Sequence, residues 1–99
     1  MDTFWVAHAG VDPVKLLEKY PSRWRLLHLK DIRLGAAVAV TRSAPREDNV
    51  ALGSGQIDWP AFLRAAERAG VEYYFIEDEG AIPSETIPAS LRYLHSLQY

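Results

Sequence analysis

The sequence predicts an α/β fold in which three strand-like segments are each followed by a helix. Three observations support this: strands and helices alternate along the chain, aspartate and proline mark helix starts, and the composition is that of a folded domain. The 99 residues are 48% hydrophobic and 24% charged, which is typical of a globular protein. Because strands that alternate with helices favour parallel pairing through right-handed crossovers, we expect a parallel βαβαβα segment.

The first strand–helix unit covers residues 3–20. Residues 3–7 are aromatic and β-branched, which predicts a strand. Asp12 and Pro13 then indicate a helix cap followed by proline at the first helical position. The helix at residues 14–20 is expected to end before Pro21. Its inward face is expected to contain Leu16, Leu17 and Tyr20.

The second unit begins with a predicted strand at residues 24–31. Alternation separates its side chains into two faces, with Leu27 and Leu29 on one and Leu26, His28 and Lys30 on the other. A long connection follows at residues 32–55. Within it, residues 36–41 predict a short additional strand and residues 43–49 predict a polar loop.

The helix after this connection is predicted to run from its cap Asp58 to about Ala69, where Gly70 ends it. Its inward positions are Phe62, Leu63 and Ala66. A third strand is predicted at residues 71–77, with one face formed by Tyr73, Phe75 and Glu77 and the other by Tyr74 and Ile76. Ser84 is expected to cap a last helix. The apolar positions of that helix are Ile87, Leu91, Leu94 and Leu97.

Composition and charge exclude several classes of function. The net charge is −2, with acids and bases mixed along the chain, so neither a nucleic-acid-binding patch nor a basic membrane-binding face is expected. The absence of cysteine excludes disulfides, thiolate catalysis and cysteine-ligated zinc. No apolar run approaches the ~20 residues of a membrane span, and the N-terminus lacks the order of a signal peptide. We therefore expect a cytoplasmic protein.

One acidic or imidazole side chain lies in or near each predicted strand: Asp2, His28 and Glu77. Parallel sheets are normally buried on both faces, and a buried ionised group requires a partner. A shared divalent cation would satisfy all three residues. Each also fits an ordinary structural role, since Asp2 is near the terminus, His28 fits a hydrogen-bonded strand histidine, and Glu77 belongs to a run of acids. Residue pattern alone leaves both interpretations open.

Four segments, in order, resemble the closing half of the sugar phosphate isomerase/epimerase family, whose fold is the xylose isomerase-like TIM (β/α)8 barrel. They are D-T-F-W at residues 2–5, H-L-K-D at residues 28–31, G-S-G-Q-I-D-W at residues 53–59 and Y-F-I-E-D-E at residues 74–79. The resemblance implies that residues 1–99 form one partial domain, the C-terminal part of an incomplete barrel. Closing such a barrel takes eight strand–helix units and about 250 residues.

The resemblance also implies residue roles. The family moves a proton at a carbon beside a carbonyl, through an enediolate, and holds one divalent metal with two glutamates, an aspartate and a histidine. Carried over by position, Asp2, His28 and Glu77 are the metal ligands, and Glu77 is also a catalytic acid/base. Lys30 and Trp5 are implied to contact the sugar or sugar-phosphate substrate. The donor set suits Mn²⁺, Mg²⁺, Co²⁺ or Zn²⁺.

The family's first glutamate, which is the second acid/base, would precede Met1. We therefore expect a truncated chain that is nearly inactive alone, because losing one of two cooperating groups removes most of the rate. An open sheet with an exposed edge and an uncovered face predicts a homo-oligomer.

Three alternatives remain beside this interpretation. A dehydratase of cyclic polyol ketones would use the same ligands on the same fold. A non-catalytic α/β module would oligomerise, or complete a barrel with a partner chain. A metal-dependent DNA-repair endonuclease of this barrel type would need more histidine ligands and a basic groove, and the three histidines and net acidic charge of this chain count against it.

Overall fold

A computed structural model describes all 99 residues and contains four α-helices and four strands. In chain order these are α1 (Thr3–His8), α2 (Pro13–Lys19), β1 (Leu26–Leu29), β2 (Asp31–Ile32), β3 (Asn49–Val50), α3 (Trp59–Arg68), β4 (Tyr73–Ile76) and α4 (Pro83–Ser96). A 3-10 helix at Arg46–Asp48 precedes β3. The predicted α/β class is confirmed.

The principal sheet consists of two parallel strands, β1 and β4. Their register runs from Leu26 opposite Tyr73 to Leu29 opposite Ile76. On the other side of β1, Asp2 forms an isolated parallel bridge with His28. Three parallel chain segments therefore lie side by side, although the first is too short to count as a strand. β2 and β3 form a separate antiparallel pair.

One face of β1 packs in the hydrophobic core. Leu27 and Leu29 are buried, whereas Leu26 and His28 are exposed, so the predicted alternation is confirmed. The Trp59 and Phe62 rings of α3 pack edge to face at 5.7 Å. The core cluster draws on α2, β1 and α3 and contains Leu17, Leu27, Leu29, Leu52, Trp59, Phe62, Leu63, Ala65, Ala66 and Ala69.

The caps of α2 and α3 follow the sequence prediction. The Asp12 carboxylate accepts from the Val14 amide at 2.8 Å, and the Asp58 carboxylate accepts from the Ala61 amide at 3.1 Å. Each bond satisfies one of the amides that a helix start leaves unpaired. Gly70, at φ +79°, follows the end of α3 in the left-handed region that glycine favours.

The predicted strand at residues 3–7 is wrong, because the segment is helix α1. The Asp2 carboxylate accepts from the Phe4 and Trp5 amides and so begins a helix where strand-type residues predicted extension. Phe4 and His8, four residues apart, are both buried by this helix. Burial of one helical face outweighs the β-propensity of the segment, which is the weaker effect.

Two further local predictions are wrong. Residues 36–41 contain no strand, and the Ala39 amide donates instead to the His8 carbonyl at 2.9 Å. Ser84 does not cap α4, because Ile82 occupies the cap position without a side-chain bond. In α4 only Ser90 is buried; Leu94 and Leu97 pack on the core, but Ile87 and Leu91 are exposed. Tyr20 is also exposed. None of the helices has the length and apolar character that crossing a bilayer requires.

Candidate functional site

Asp2, His28 and Glu77 lie together along one edge of the three parallel segments. One potential ligand atom from each lies within 4.8 Å of the other two. His28 Nδ1 is 3.4 Å from Glu77 Oε2 and 3.7 Å from Asp2 Oδ2. Backbone pairing sets this geometry, since the His28 amide donates to Met1 and the Glu77 amide donates to Leu29, beyond the end of β4.

The two carboxylate oxygens of Asp2 make different contacts. Oδ1 accepts from the amides of Phe4 at 3.0 Å and Trp5 at 3.3 Å, while Oδ2 faces His28 and Lys30. Capping therefore restricts the rotation of the carboxylate. Sequence reasoning placed Asp2 at this site but missed its role as a cap.

Lys30 is buried beneath the cluster, with a side chain that is 1% exposed. Its Nζ lies 3.1 Å from Glu79 Oε1, 3.6 Å from Glu77 Oε2 and 3.7 Å from Asp2 Oδ2. None of these contacts has hydrogen-bond geometry, so the ammonium is paired in charge but donates no hydrogen bond. It also lies 5.4 Å from the Phe4 ring centroid and 5.7 Å from that of Trp5, within cation–π range.

The net negative charge of the cluster favours binding of a cation. Three carboxylates and one ammonium carry a net charge of −2, which a single divalent ion would neutralise. In a tetrahedral Zn²⁺ site, bonds of ~2.0–2.1 Å place two ligand atoms roughly 3.3–3.4 Å apart, close to the 3.4 and 3.7 Å that separate His28 Nδ1 from the two carboxylates. One imidazole nitrogen with carboxylate oxygens suits Zn²⁺, Mn²⁺ or Co²⁺, whereas Mg²⁺ prefers oxygen alone. The residues present therefore fit a divalent metal.

The side chains around the cluster are aromatic. The His28 ring packs edge to face on Phe75 at 6.2 Å. Trp5, on α1, packs edge to face on Phe4 at 5.0 Å and on His8 at 5.4 Å, so it lies beside Lys30 as one wall of the site.

Glu79 and Phe4 are site residues that sequence reasoning missed. Glu79 lies two residues beyond Glu77, and alternate residues of an extended chain point to the same side. That spacing was the available signal for Glu79. Phe4 had no signal, because its position depends on the helical conformation of α1.

Asp31, the last residue of H-L-K-D, serves the scaffold. Its Oδ1 accepts from the amides of Ile32 and Ile57, at 2.9 and 3.2 Å. Its Oδ2 accepts from Gly53, Gly55 and the Trp59 indole, at 2.8–3.1 Å. The amides of the glycine-rich turn are therefore directed at a protein carboxylate.

The neighbourhood of Asp31 is closely packed. A Cβ at Gly55 would overlap the Ile32 carbonyl and the Asp31 carboxylate, which explains the glycine. A Cβ at Gly53 would lie 2.6 Å from the Tyr93 ring. Burial raises the pKa of the Tyr93 hydroxyl, and the negative charges of Asp31 and Asp58 raise it further.

Comparisons of the chain with protein-family models, curated proteins and solved structures find no match. They therefore assign the chain to no family.

Proposed function

We propose that this chain carries the metal-binding edge of a metal-dependent sugar or sugar-phosphate isomerase/epimerase, within the C-terminal part of a xylose isomerase-like (β/α)8 barrel. The observation that supports it best is the convergence of Asp2, His28 and Glu77 on neighbouring parallel segments. These residues are far apart in sequence and share no local motif. The resemblance of the four sequence segments supplies the reaction class.

In this proposal Asp2, His28 and Glu77 bind Mn²⁺, Mg²⁺, Co²⁺ or Zn²⁺. The bound ion would supply Lewis-acid polarisation of adjacent carbonyl and hydroxyl oxygens of the sugar. The cap bonds of Asp2 and the edge-to-face contact of His28 with Phe75 restrain two of the donors before any ion arrives. Such restraint reduces the cost of ordering ligands on binding.

Glu77 is the proposed acid/base. Its side chain is 43% exposed, so its carboxylate is accessible to a substrate. It accepts the proton from the hydroxyl-bearing carbon beside the carbonyl, which gives an enediolate, and returns that proton to the former carbonyl carbon in an isomerisation. The hydroxyl proton passes to the former carbonyl oxygen, which leaves the new carbonyl on the adjacent carbon. Epimerisation delivers a proton to the opposite side of the carbon and requires a second acid/base, the family's other glutamate.

Lys30 and Trp5 are the proposed substrate contacts. The apolar face of the Trp5 indole suits the C–H face of a sugar ring, and the Lys30 ammonium suits a developing oxyanion. Because Lys30 is buried, contact with a sugar oxygen requires Glu79 to move aside. The Glu79 side chain is 60% exposed, so solvent, not packing, surrounds most of it.

One surface favours a second candidate, a non-catalytic α/β module. Leu26, Tyr73 and Phe75 are each 50–56% exposed on the sheet face opposite the core, whereas parallel sheets are usually covered on both faces. A homo-oligomer, or a partner chain that completes a barrel, would cover them. A polyol-ketone dehydratase would share the ligands proposed above and differ in substrate.

Calorimetric titration with Mn²⁺ tests the proposal without requiring activity. We expect the wild-type chain to bind and His28→Ala to weaken binding by more than the ~10–100-fold typical of losing an outer-shell partner. His95→Ala, which removes an exposed histidine from α4, is the matched control and should bind normally. If the wild-type chain binds none of the four metals but sediments as an oligomer, the structural module is correct and the isomerase proposal is wrong.

A further inference from the structure

One buried hydroxyl, that of Thr3, links the first turn of α1 to Lys30, the residue that follows β1. Asp2 pairs with His28 as parallel strands do, but the chain turns into α1 at the next residue. The backbone of Thr3 therefore belongs to the first helical turn and no longer pairs with β1. Without a substitute, the Lys30 amide would be buried without a partner, which costs roughly 1–3 kcal/mol.

The Thr3 side chain provides that substitute. Its Oγ1 accepts from the Lys30 amide at 2.9 Å and donates to the Lys30 carbonyl at 2.7 Å. The His28 carbonyl lies at 3.3 Å, so the single hydroxyl proton has the shorter bond to Lys30. Thr3 itself is fully buried, which keeps water from competing for these bonds.

We propose that Thr3 is a positioning residue that fixes Asp2 relative to His28 and Lys30. Its hydroxyl supplies the hydrogen bonds to Lys30 that backbone pairing no longer supplies once the chain has turned into α1. Asp2, the residue before Thr3, is one candidate ligand. Thr3 hydrogen-bonds to the chain segment that contains the second candidate ligand, His28, and the buried ammonium of Lys30. The distance from Asp2 Oδ2 to His28 Nδ1 and to Lys30 Nζ, 3.7 Å in both cases, therefore depends on this side chain. As a statement about metal affinity, the inference rests on the proposed function.

Thr3→Val is the direct test, because it keeps the shape of the side chain and removes the hydroxyl. We expect Mn²⁺ affinity to fall ~10–100-fold, as for other outer-shell partners, and the Lys30 amide to exchange its hydrogen faster. Thr3→Ser keeps the hydroxyl and should restore both. Ser90→Ala is the matched control: its buried hydroxyl accepts from the Leu52 amide at 2.9 Å, so it loses a comparable bond without loosening Asp2.

The outcomes separate this inference from the proposed function. If Thr3→Val binds Mn²⁺ as tightly as wild type, or if Ser90→Ala weakens binding equally, the positioning role is wrong while the metal site stands. If the wild-type chain binds no metal, the proposed function fails. In that case hydrogen exchange of the Lys30 amide in Thr3→Ser and Thr3→Val still tests whether the Thr3 hydroxyl holds this amide. Should Thr3→Val not fold, Thr3→Ala removes the same hydroxyl.

Discussion

Replacement of Asp31 by asparagine tests how the loop before α3 is held. The carboxylate accepts five hydrogen bonds, two at Oδ1 and three at Oδ2. Asparagine keeps one oxygen and places an NH₂ group where the other was. Whichever way the amide turns, at least two N–H donors then face another donor.

The magnitude follows from those lost bonds. A hydrogen bond to a charged group contributes about 1.5–3 kcal/mol, so losing two costs roughly 3–6 kcal/mol when the donors remain buried. Small domains have only ~5–15 kcal/mol of stability. For a chain of this size the melting temperature should fall by roughly 12–48 °C, at ~4–8 °C for each kcal/mol.

Thermal and urea unfolding followed by circular dichroism measure this effect. Asp12→Asn is the control, because that carboxylate makes one exposed cap bond and asparagine caps a helix equally well. We expect the control to unfold with wild type and Asp31→Asn to unfold far earlier. If the two variants melt within ~4 °C of each other, Asp31 does not support the loop and the account of the glycine-rich turn is wrong.

Two further predictions concern packing and pH. Gly55→Ala should destabilise the protein by at least the ~1–3 kcal/mol typical of overpacking, because the new Cβ would overlap backbone and a carboxylate. Gly70→Ala places its Cβ in open space and should cost only the strain of φ +79°. Urea unfolding of both variants measures the two losses, and equal losses would contradict this prediction. The pKa of Tyr93 is raised above its ordinary value of about 10, first by burial and then by the negative charges of Asp31 and Asp58. Its stabilising contribution is therefore present below the unfolded-state pKa and is lost as pH rises through the folded-state pKa. Unfolding measured between roughly pH 9 and pH 11.5 should show stability falling at the alkaline end, and a flat profile would contradict the burial of the Tyr93 hydroxyl.

Local signals in the sequence determined much of the scaffold. Alternation in β1 predicted that Leu27 and Leu29 share a face opposite Leu26 and His28, because successive strand residues point to opposite sides. Aspartate with proline predicted the starts of α2 and α3 because a carboxylate satisfies free amides and proline needs none. The sequence also grouped Asp2, His28 and Glu77, because one acidic or imidazole side chain lies in or near each predicted strand.

Tertiary structure decided what local signals left ambiguous. Residues 3–7 are of strand-forming types, yet the packing of Phe4 and His8 selected a helix. The burial of Lys30 beneath Phe4 and Trp5 follows from that helix and has no signature in the sequence. For Glu79 the only sequence signal was its spacing of two residues from Glu77. Nothing in the sequence distinguished Asp31 from the other acidic residues, whereas in the folded chain its carboxylate accepts five hydrogen bonds. Alternation and capping operate over a few residues and can be derived from them, whereas the partners of a buried charge come from distant parts of the chain and are fixed only when the whole chain packs.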